Sequence, residues 1–232
     1  MADDSISTLN ESEDDKVAMN HSQGGYVKTA AYNYSKFIIN LSMIPNRHAR
    51  LLPNNFWFST IVSRKSLIHG ARNVEMKGKS IIHAGAHIRG DFQTVRIGRY
   101  CRIGEKTIIR PPSYQASLDS NEDQIRFLPL VIGSHTRIGK DCVVEAASIG
   151  SSVYIGDGCV ISKRVIIKDC CFIEAGTVIA ADMVIPPFSR VKGRPAKMVD
   201  EGLMPESFAV TFVEDCVEEF TEFLKHLEDG DI

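Results

Sequence analysis

Seven histidines and six cysteines are the residues of this 232-residue chain best suited to metal binding, proton transfer or nucleophilic attack. A catalytic zinc centre needs three protein ligands and one open position. A general base needs an imidazole or carboxylate within hydrogen-bond reach of its substrate. The histidines are His21, His48, His69, His83, His87, His135 and His226. His83 and His87 stand four apart, but in a strand-and-corner pattern they do not share one face as they would on a helix. His135 falls in a polar pair between apolar positions. The histidines therefore read as solvated side chains rather than bases. The cysteines are Cys101, Cys142, Cys159, Cys170, Cys171 and Cys216, with no CxxC pair and no zinc-ribbon spacing. There is no phosphate-binding glycine loop and no nucleophile elbow. Neither a catalytic residue nor a cofactor or metal site is expected.

The elements that would hold these residues follow a repeat of six. Ile149, Ile155, Ile161, Ile167, Ile173, Ile179, Ile185 and Val191 occur at six-residue steps. Ile97, Ile103 and Ile109, then Ile132, Ile138 and Val144, keep the same step, and Val74, Ile82 and Ile88 precede them less regularly. Glycine follows the apolar residue at Gly98, Gly104, Gly133, Gly139, Gly150 and Gly156. Four residues after it stands a compact side chain: Cys101, Thr107, Thr136, Cys142, Val153, Cys159, Val165, Cys171 or Thr177. A period of six is neither helical nor a simple strand alternation. It fits a short strand plus a corner, three to a triangular coil, each strand pairing in parallel with those about 4.8 Å above and below it. One coil cannot bury its own face, so the unit of stability is the stack. Asp157-Gly158 would suit a hairpin turn. It shares its phase with pairs such as Lys163-Arg164, which argues against one. The cysteines of the compact column read as small buried apolar residues.

The flanks differ in character. Residues 1–24 read as a disordered acidic tail, and residues 25–64, with Phe37-Ile38-Ile39 and Phe56-Trp57-Phe58, as an irregular lead-in capping the first coil. Residues 65–196 are the β-helix. A loop at 111–129 breaks the repeat at one corner. Residues 197–232 are an acidic amphipathic C-terminal segment. Its helix is expected from Ser207 to Glu228, with Phe212 or Val213, Val217, Phe220, Leu224 and Leu227 on one face. That face should dock on the stack, and its loss should bare the coils of Ile179–Val191. Residues 1–24 hold six acids and one lysine, residues 201–232 ten acids and one lysine. The segment between them carries 25 lysines and arginines against 13 acids. These cations are scattered singly, without interleaved aromatics, so no nucleic acid is expected as a partner. No apolar run approaches the roughly 18 residues of a membrane helix, and membrane insertion is not expected. The start, MADDSISTLNESEDD, resembles neither a secretory signal nor a transit peptide, which makes the cytoplasm the expected compartment.

Two enzyme families use such a scaffold. Ile88-Arg89-Gly90-Asp91 followed by Ile97-Gly98 is similar to gamma-type carbonic anhydrases, and that match puts the zinc-ligand positions at Arg110, Lys140 and Glu145. None is histidine and two are cations. In that family the Arg and Asp of the tripeptide, here Arg89 and Asp91, serve structure and subunit contacts. Hexapeptide acyltransferases take a histidine base near their coenzyme channel, often from a loop, and the loop 111–129 has none.

A more specific resemblance rests on Ile108-Ile109-Arg110-Pro111-Pro112, Phe127-Leu128-Pro129-Leu130-Val131-Ile132-Gly133, Cys142 to Ser151, Lys168-Asp169-Cys170-Cys171 and Ile185-Pro186-Pro187-Phe188-Ser189. Over residues 65–195 these resemble the dynactin subunit 5 family, small subunits of the dynactin pointed-end complex. The resemblance implies an all-β fold, a left-handed parallel β-helix, without catalytic activity. It implies as partners dynactin subunit 6 (a sister β-helix), an actin-related protein, the large zinc-binding pointed-end subunit and dynein cargo adaptors. It also implies a cytoskeletal location. Arg89, Asp91, Arg110, Tyr114, Arg126 and Phe127 are the expected partner-contact residues.

Overall fold

The computed structural model describes residues 26–30, 59–116 and 124–229. The acidic tail and the two aromatic clusters of the lead-in lie outside the described residues. The described chain is a left-handed parallel β-helix of about six turns followed by one α-helix. Its strands form three long sheets, A, B and C, one on each side of the triangular stack. The apolar column maps onto them without a slip. In sheet A, Ile82, Ile103, Ile138, Ile155, Ile173 and Val191 stand in parallel register. Sheet B stacks Ile88, Ile109, Val144, Ile161 and Ile179, and sheet C stacks Ile97, Ile132, Ile149, Ile167 and Ile185. All of these side chains are at most 2% exposed. Burying each contributes roughly 1.5–3 kcal/mol.

The repeat is not uniform along the stack. Val144 and Ile149 are five residues apart, so the coil that pairs Ile138 with Ile155 is one residue short. Extra residues enter at the corner between sheets B and C. Gly90 to Thr94 fill one crossing, and the next carries a hairpin in which Ser113–Ala116 pairs antiparallel with Gln124–Phe127. The segment expected as a plain loop thus has strands of its own.

Two positions of each corner do different work. The glycine approaches the next coil: a Cβ at Gly98 would lie 2.5 Å from Ser134 N, and one at Gly133 2.5 Å from the Gly150 carbonyl carbon. The left-handed backbone needed to turn falls two residues later, often on a side-chain-bearing residue such as Tyr100, His135 or Asp141, with φ of 52–55°. These conformations cost about 1–2 kcal/mol each, which the packed stack sustains.

The compact column is more than small and apolar. Cys101 Sγ donates to Gly133 O at 3.0 Å and Cys171 Sγ to Pro186 O at 3.0 Å, as Thr107 Oγ1 does to Gly139 O at 2.6 Å. Cysteine and threonine thus satisfy corner carbonyls that a purely apolar residue would leave to water.

The boundaries differ from the sequence reading in three places. The stack begins with β2 (Ser59–Ser63), inside the supposed lead-in, because Val62 pairs in parallel with Ile82. β1 (Tyr26–Ala30) runs antiparallel along its free edge. The first coil continues with β3 (Leu67–His69) in sheet B and β4 (Val74–Met76) in sheet C. At the other end, residues 197–203, read as part of the helical segment, form the strand Lys197–Leu203 antiparallel to Ser189–Lys192. Helix α1 spans Ser207–Asp229.

The helix does dock, but along the flank of sheet A rather than over the last coils. Phe212 lies edge-on to Tyr154, Phe220 edge-on to Tyr100, and Phe220 and Leu224 pack with Ile61 and Ile81. Its buried stripe is Phe212, Cys216, Phe220 and Leu224, so Cys216 takes the place expected for Val217. Removing α1 would bare Ile61 and Ile81. The coils of Ile179–Val191 are covered instead by residues 193–203.

Candidate protein-interaction site

The corner between sheets B and C gathers the six expected contact residues. Arg89 ends a sheet B strand, and its guanidinium grips Asp91 with two hydrogen bonds, Nε to Oδ1 at 2.8 Å and Nη2 to Oδ2 at 2.7 Å. That pairing holds the Asp91 carboxyl below the ordinary carboxylate range. The same guanidinium lies 4.2 Å from the centre of the Phe92 ring. Phe92 in turn stacks on Phe127 at 4.6 Å, which ties the hairpin to the crossing one coil below. Tyr114 and Arg126 oppose each other across the hairpin, and Ile125 at its outer end is 67% exposed. Arg164 supports the other side of the base, donating from Nη1 to Ser113 O at 3.1 Å while its Nε holds Asp182 at 2.6 Å. Phe92 and Arg164 were not singled out in the sequence. Their only signal was that each, like Arg110, follows a sheet B strand: Phe92 four residues after Ile88 and Arg164 three after Ile161.

Arg110 stands apart from this cluster of aromatics. It forms an ion pair with Glu145 of the next coil, whose side chain is only 10% exposed. Lys140 Nζ lies 3.6 Å from Glu105 Oε2. The three positions that the carbonic anhydrase pattern would use as ligands are thus Arg110 and Glu145, paired with each other, and Lys140, paired with Glu105. Among the described residues, no group of three or more His, Cys, Asp or Glu is arranged to hold a metal ion. No helix among the described residues is long and apolar enough to cross a membrane.

Three histidines read as solvated are packed instead. His83 accepts from Arg102 Nε at 3.2 Å and lies edge-on to Phe223 of α1 at 5.7 Å. Burial, with Arg102 nearby, lowers its pKa below the ordinary 6.5. His135 stacks on Tyr100 at 5.3 Å, and burial lowers its pKa too. His87 is half-buried beside His69, with ring centres 4.8 Å apart. Sequence periodicity showed which residues point inward. It could not show that the outward residues Ile81, Arg102, Arg137 and Tyr154 would be roofed by a helix more than fifty residues away in the chain. Between Arg102 and Arg137 the roof inserts Glu219, at 2.5 Å and 2.7 Å.

Comparison with known proteins separates fold from family. The acyltransferase AntD of Bacillus cereus, solved with dTDP and 3-hydroxybutyryl-CoA, superposes with a TM-score of 0.51 over 73% of this chain and 88% of its own, at 14% identity. That likeness speaks for the β-helix alone. Dynactin subunit 5 of Dictyostelium discoideum is 42% identical over 90 residues, 39% of this chain and 43% of the relative. A second, uncharacterised protein of that organism is 28% identical over 162 residues, 66% of this chain and 61% of the relative. The chain therefore spans only part of the length of these relatives. The profile of the dynactin subunit 5 family matches residues 57–227, from the first coil of the stack through α1. Since the match takes in both the helix-roofed sheet and the hairpin-bearing corner, the chain belongs to the dynactin subunit 5 family.

Proposed function

We propose that this protein is a non-catalytic structural subunit of the dynactin pointed-end complex. In that role it supports dynein–dynactin transport along microtubules and the engagement of adaptors and cargo. Its partners are dynactin subunit 6, the actin-related protein at the pointed end, the large zinc-binding subunit and dynein adaptors, in the cytoplasm and on the cytoskeleton. The observation that carries this reading is the family match across residues 57–227. The ion pairs of Arg110 with Glu145 and Lys140 with Glu105 support it, since each fills a place where a β-helix enzyme of the carbonic anhydrase type would hold its metal. A rigid stack with an exposed aromatic and cationic corner is suited to binding protein surfaces. Arg89, Asp91, Arg110, Tyr114, Arg126 and Phe127 are the proposed contacts. The excess of cations over residues 25–200 suits an acidic actin-like surface.

The test is recovery of the tagged full chain from cell extract, probed by immunoblot for the pointed-end subunits. Co-recovery is expected, weakening between about 0.05 and about 0.5 M salt as surface charges are screened. A stable monomer that ignores these subunits at every salt concentration would overturn the assignment. Stoichiometric zinc together with carbon dioxide hydration would favour the enzyme reading.

A further inference from the structure

The hairpin that closes the C-terminal end of the stack carries three cations at its turn. Its strands, Ser189–Lys192 and Lys197–Leu203, place Lys192 directly opposite Lys197. Like charges facing each other across an antiparallel pair destabilise it. The connecting loop is pinned to the last coil, with Val178 N donating to Gly193 O at 3.0 Å and Ala196 N to Val178 O at 2.9 Å. Within the loop, Arg194 Nε donates to Gly176 O at 2.5 Å. Gly176 leaves room for that contact: a Cβ there would lie 3.1 Å from Arg194 Nη2. The guanidinium is thus fixed by its Nε, with its terminal nitrogens free to meet a ligand. Lys192, Arg194 and Lys197 are exposed and line one cleft of about 520 Å³. The single acid lining it, Glu174, accepts from Arg190 Nε at 2.8 Å and is already neutralised. Among the described residues, no acid is left to match the three charges.

We propose that this cleft binds a phosphate group, presented either by a soluble phosphate compound or by a phosphoinositide headgroup. Three cations exceed the one charge and two oxygens of a carboxylate. A phosphate monoester carries a charge of about −1.5 to −2 near neutral pH and three strong acceptor oxygens, enough to engage both ammonium groups and the guanidinium. Arginine supplies the planar fork that matches such oxygens, and the lysines supply point charges on either side. An anion held between Lys192 and Lys197 also removes the repulsion across the pair. Ligand binding and hairpin stability are therefore coupled.

The experiment uses the purified full chain at constant ionic strength set with chloride. The probes are inorganic pyrophosphate and phosphatidylcholine vesicles with or without phosphatidylinositol bisphosphate. Pyrophosphate should raise the melting temperature of the parent and slow amide exchange over residues 192–198 about fivefold or more, with the hairpin at the B–C corner unchanged. The exposed double variant Lys192→Gln, Lys197→Gln should melt at or above the parent without ligand, since the facing charges are gone. It should bind pyrophosphate at least about tenfold more weakly. Vesicle recruitment that depends on the bisphosphate lipid and is lost in the double variant assigns the group to a headgroup. Pyrophosphate binding without recruitment assigns it to a soluble compound. Equal affinity for a glutamate-rich peptide of the same charge would overturn the phosphate site in favour of a docking surface for acidic proteins. So would parental binding by the double variant, or a double variant that melts below the parent without ligand, which would give the lysines to the hairpin's own fold. Failure of both probes to bind would overturn it as well.

Discussion

Under α1, Glu219 lies between Arg102 and Arg137, with Phe212, Phe220 and Phe223 packed beside Tyr154, Tyr100 and His83. At the B–C corner the ingredients are similar: Asp91 against Arg89, Glu145 against Arg110, and Phe92 against Phe127. The settings differ. The first set is roofed by the chain's own helix, and its aromatics fill a closed seam with Ile61 and Ile81. The second set is neutralised in place and, apart from the buried Glu145, left open to solvent, with Phe92 still 37% exposed. Charges and rings buried under α1 stabilise the fold of this chain. The same groups paired on an open corner add little to folding and keep their apolar surface for a partner.

Substitutions can separate these regions, and the stack beneath them sets the scale. Ile161→Asp should prevent folding, because it buries an unpaired carboxylate in a column that is 0% exposed. A loss above about 4 kcal/mol is expected, read as absence of a cooperative melt. Glu219→Ala should cost about 1–2 kcal/mol, since it leaves two partly buried guanidinium groups without their acid and loosens the roof. Thermal melting and protease cleavage around residues 204–206 would both report it. An unchanged melt would mean that α1 is held by its apolar stripe alone.

Acid should distinguish the two regions by window. His83 has a folded pKa below its unfolded value, so its contribution is present above about pH 6.5 and is lost as pH falls below that value. Asp91 is likewise depressed, but its contribution fades only below about pH 4. His83→Gln should reduce the loss of stability as pH falls below about 6.5, leaving the share carried by the likewise depressed His135 and His87, without altering the lower limb. Asp91→Asn should do the reverse, with a smaller amplitude because the pair is exposed. A single shared transition would show that the corner and the seam are not independent. Phe127→Ala should cost about 0.5–1.5 kcal/mol, the worth of one aromatic stack, and weaken pointed-end association more than its melt implies. Lys163→Ala, at an exposed corner, should stay within about 0.5 kcal/mol, the smallest effect of the series.

These contrasts also explain what could be read from the chain alone. Inward positions were legible because burial and sequence share one period. Ile149 to Val191 repeat every six residues, and each falls on the interior. The corner glycines were legible for a similar reason, since close approach between coils excludes a Cβ at a fixed phase. The opening strand β2 escaped notice because the period breaks just after it: Val62 and Ile68 are six apart, but the sheet C residue in register with Ile97 is Met76, eight past Ile68. The seam under α1 was illegible for a deeper reason. Whether Arg102 or Tyr154 meets water or a helix depends on where residues 207–229 fold back, and no local period encodes that. The contact corner was named through resemblance, and its internal pairing, Arg110 with Glu145 above all, emerged only from the stacking of coils of unequal length.

The compact column has one more consequence, as a chemical stopwatch. Cys101 and Cys171 are at most 1% exposed, and burial pushes their thiols up to about 12 and about 11, far from the reactive thiolate form. Cys216, on the buried face of α1, is also pushed up to about 11. A thiol-alkylating reagent at neutral pH can therefore register each sulfur only when its own part of the molecule opens. The order in which mass increments appear, seam before stack or stack before seam, would time the disassembly of the fold from within and without any introduced label.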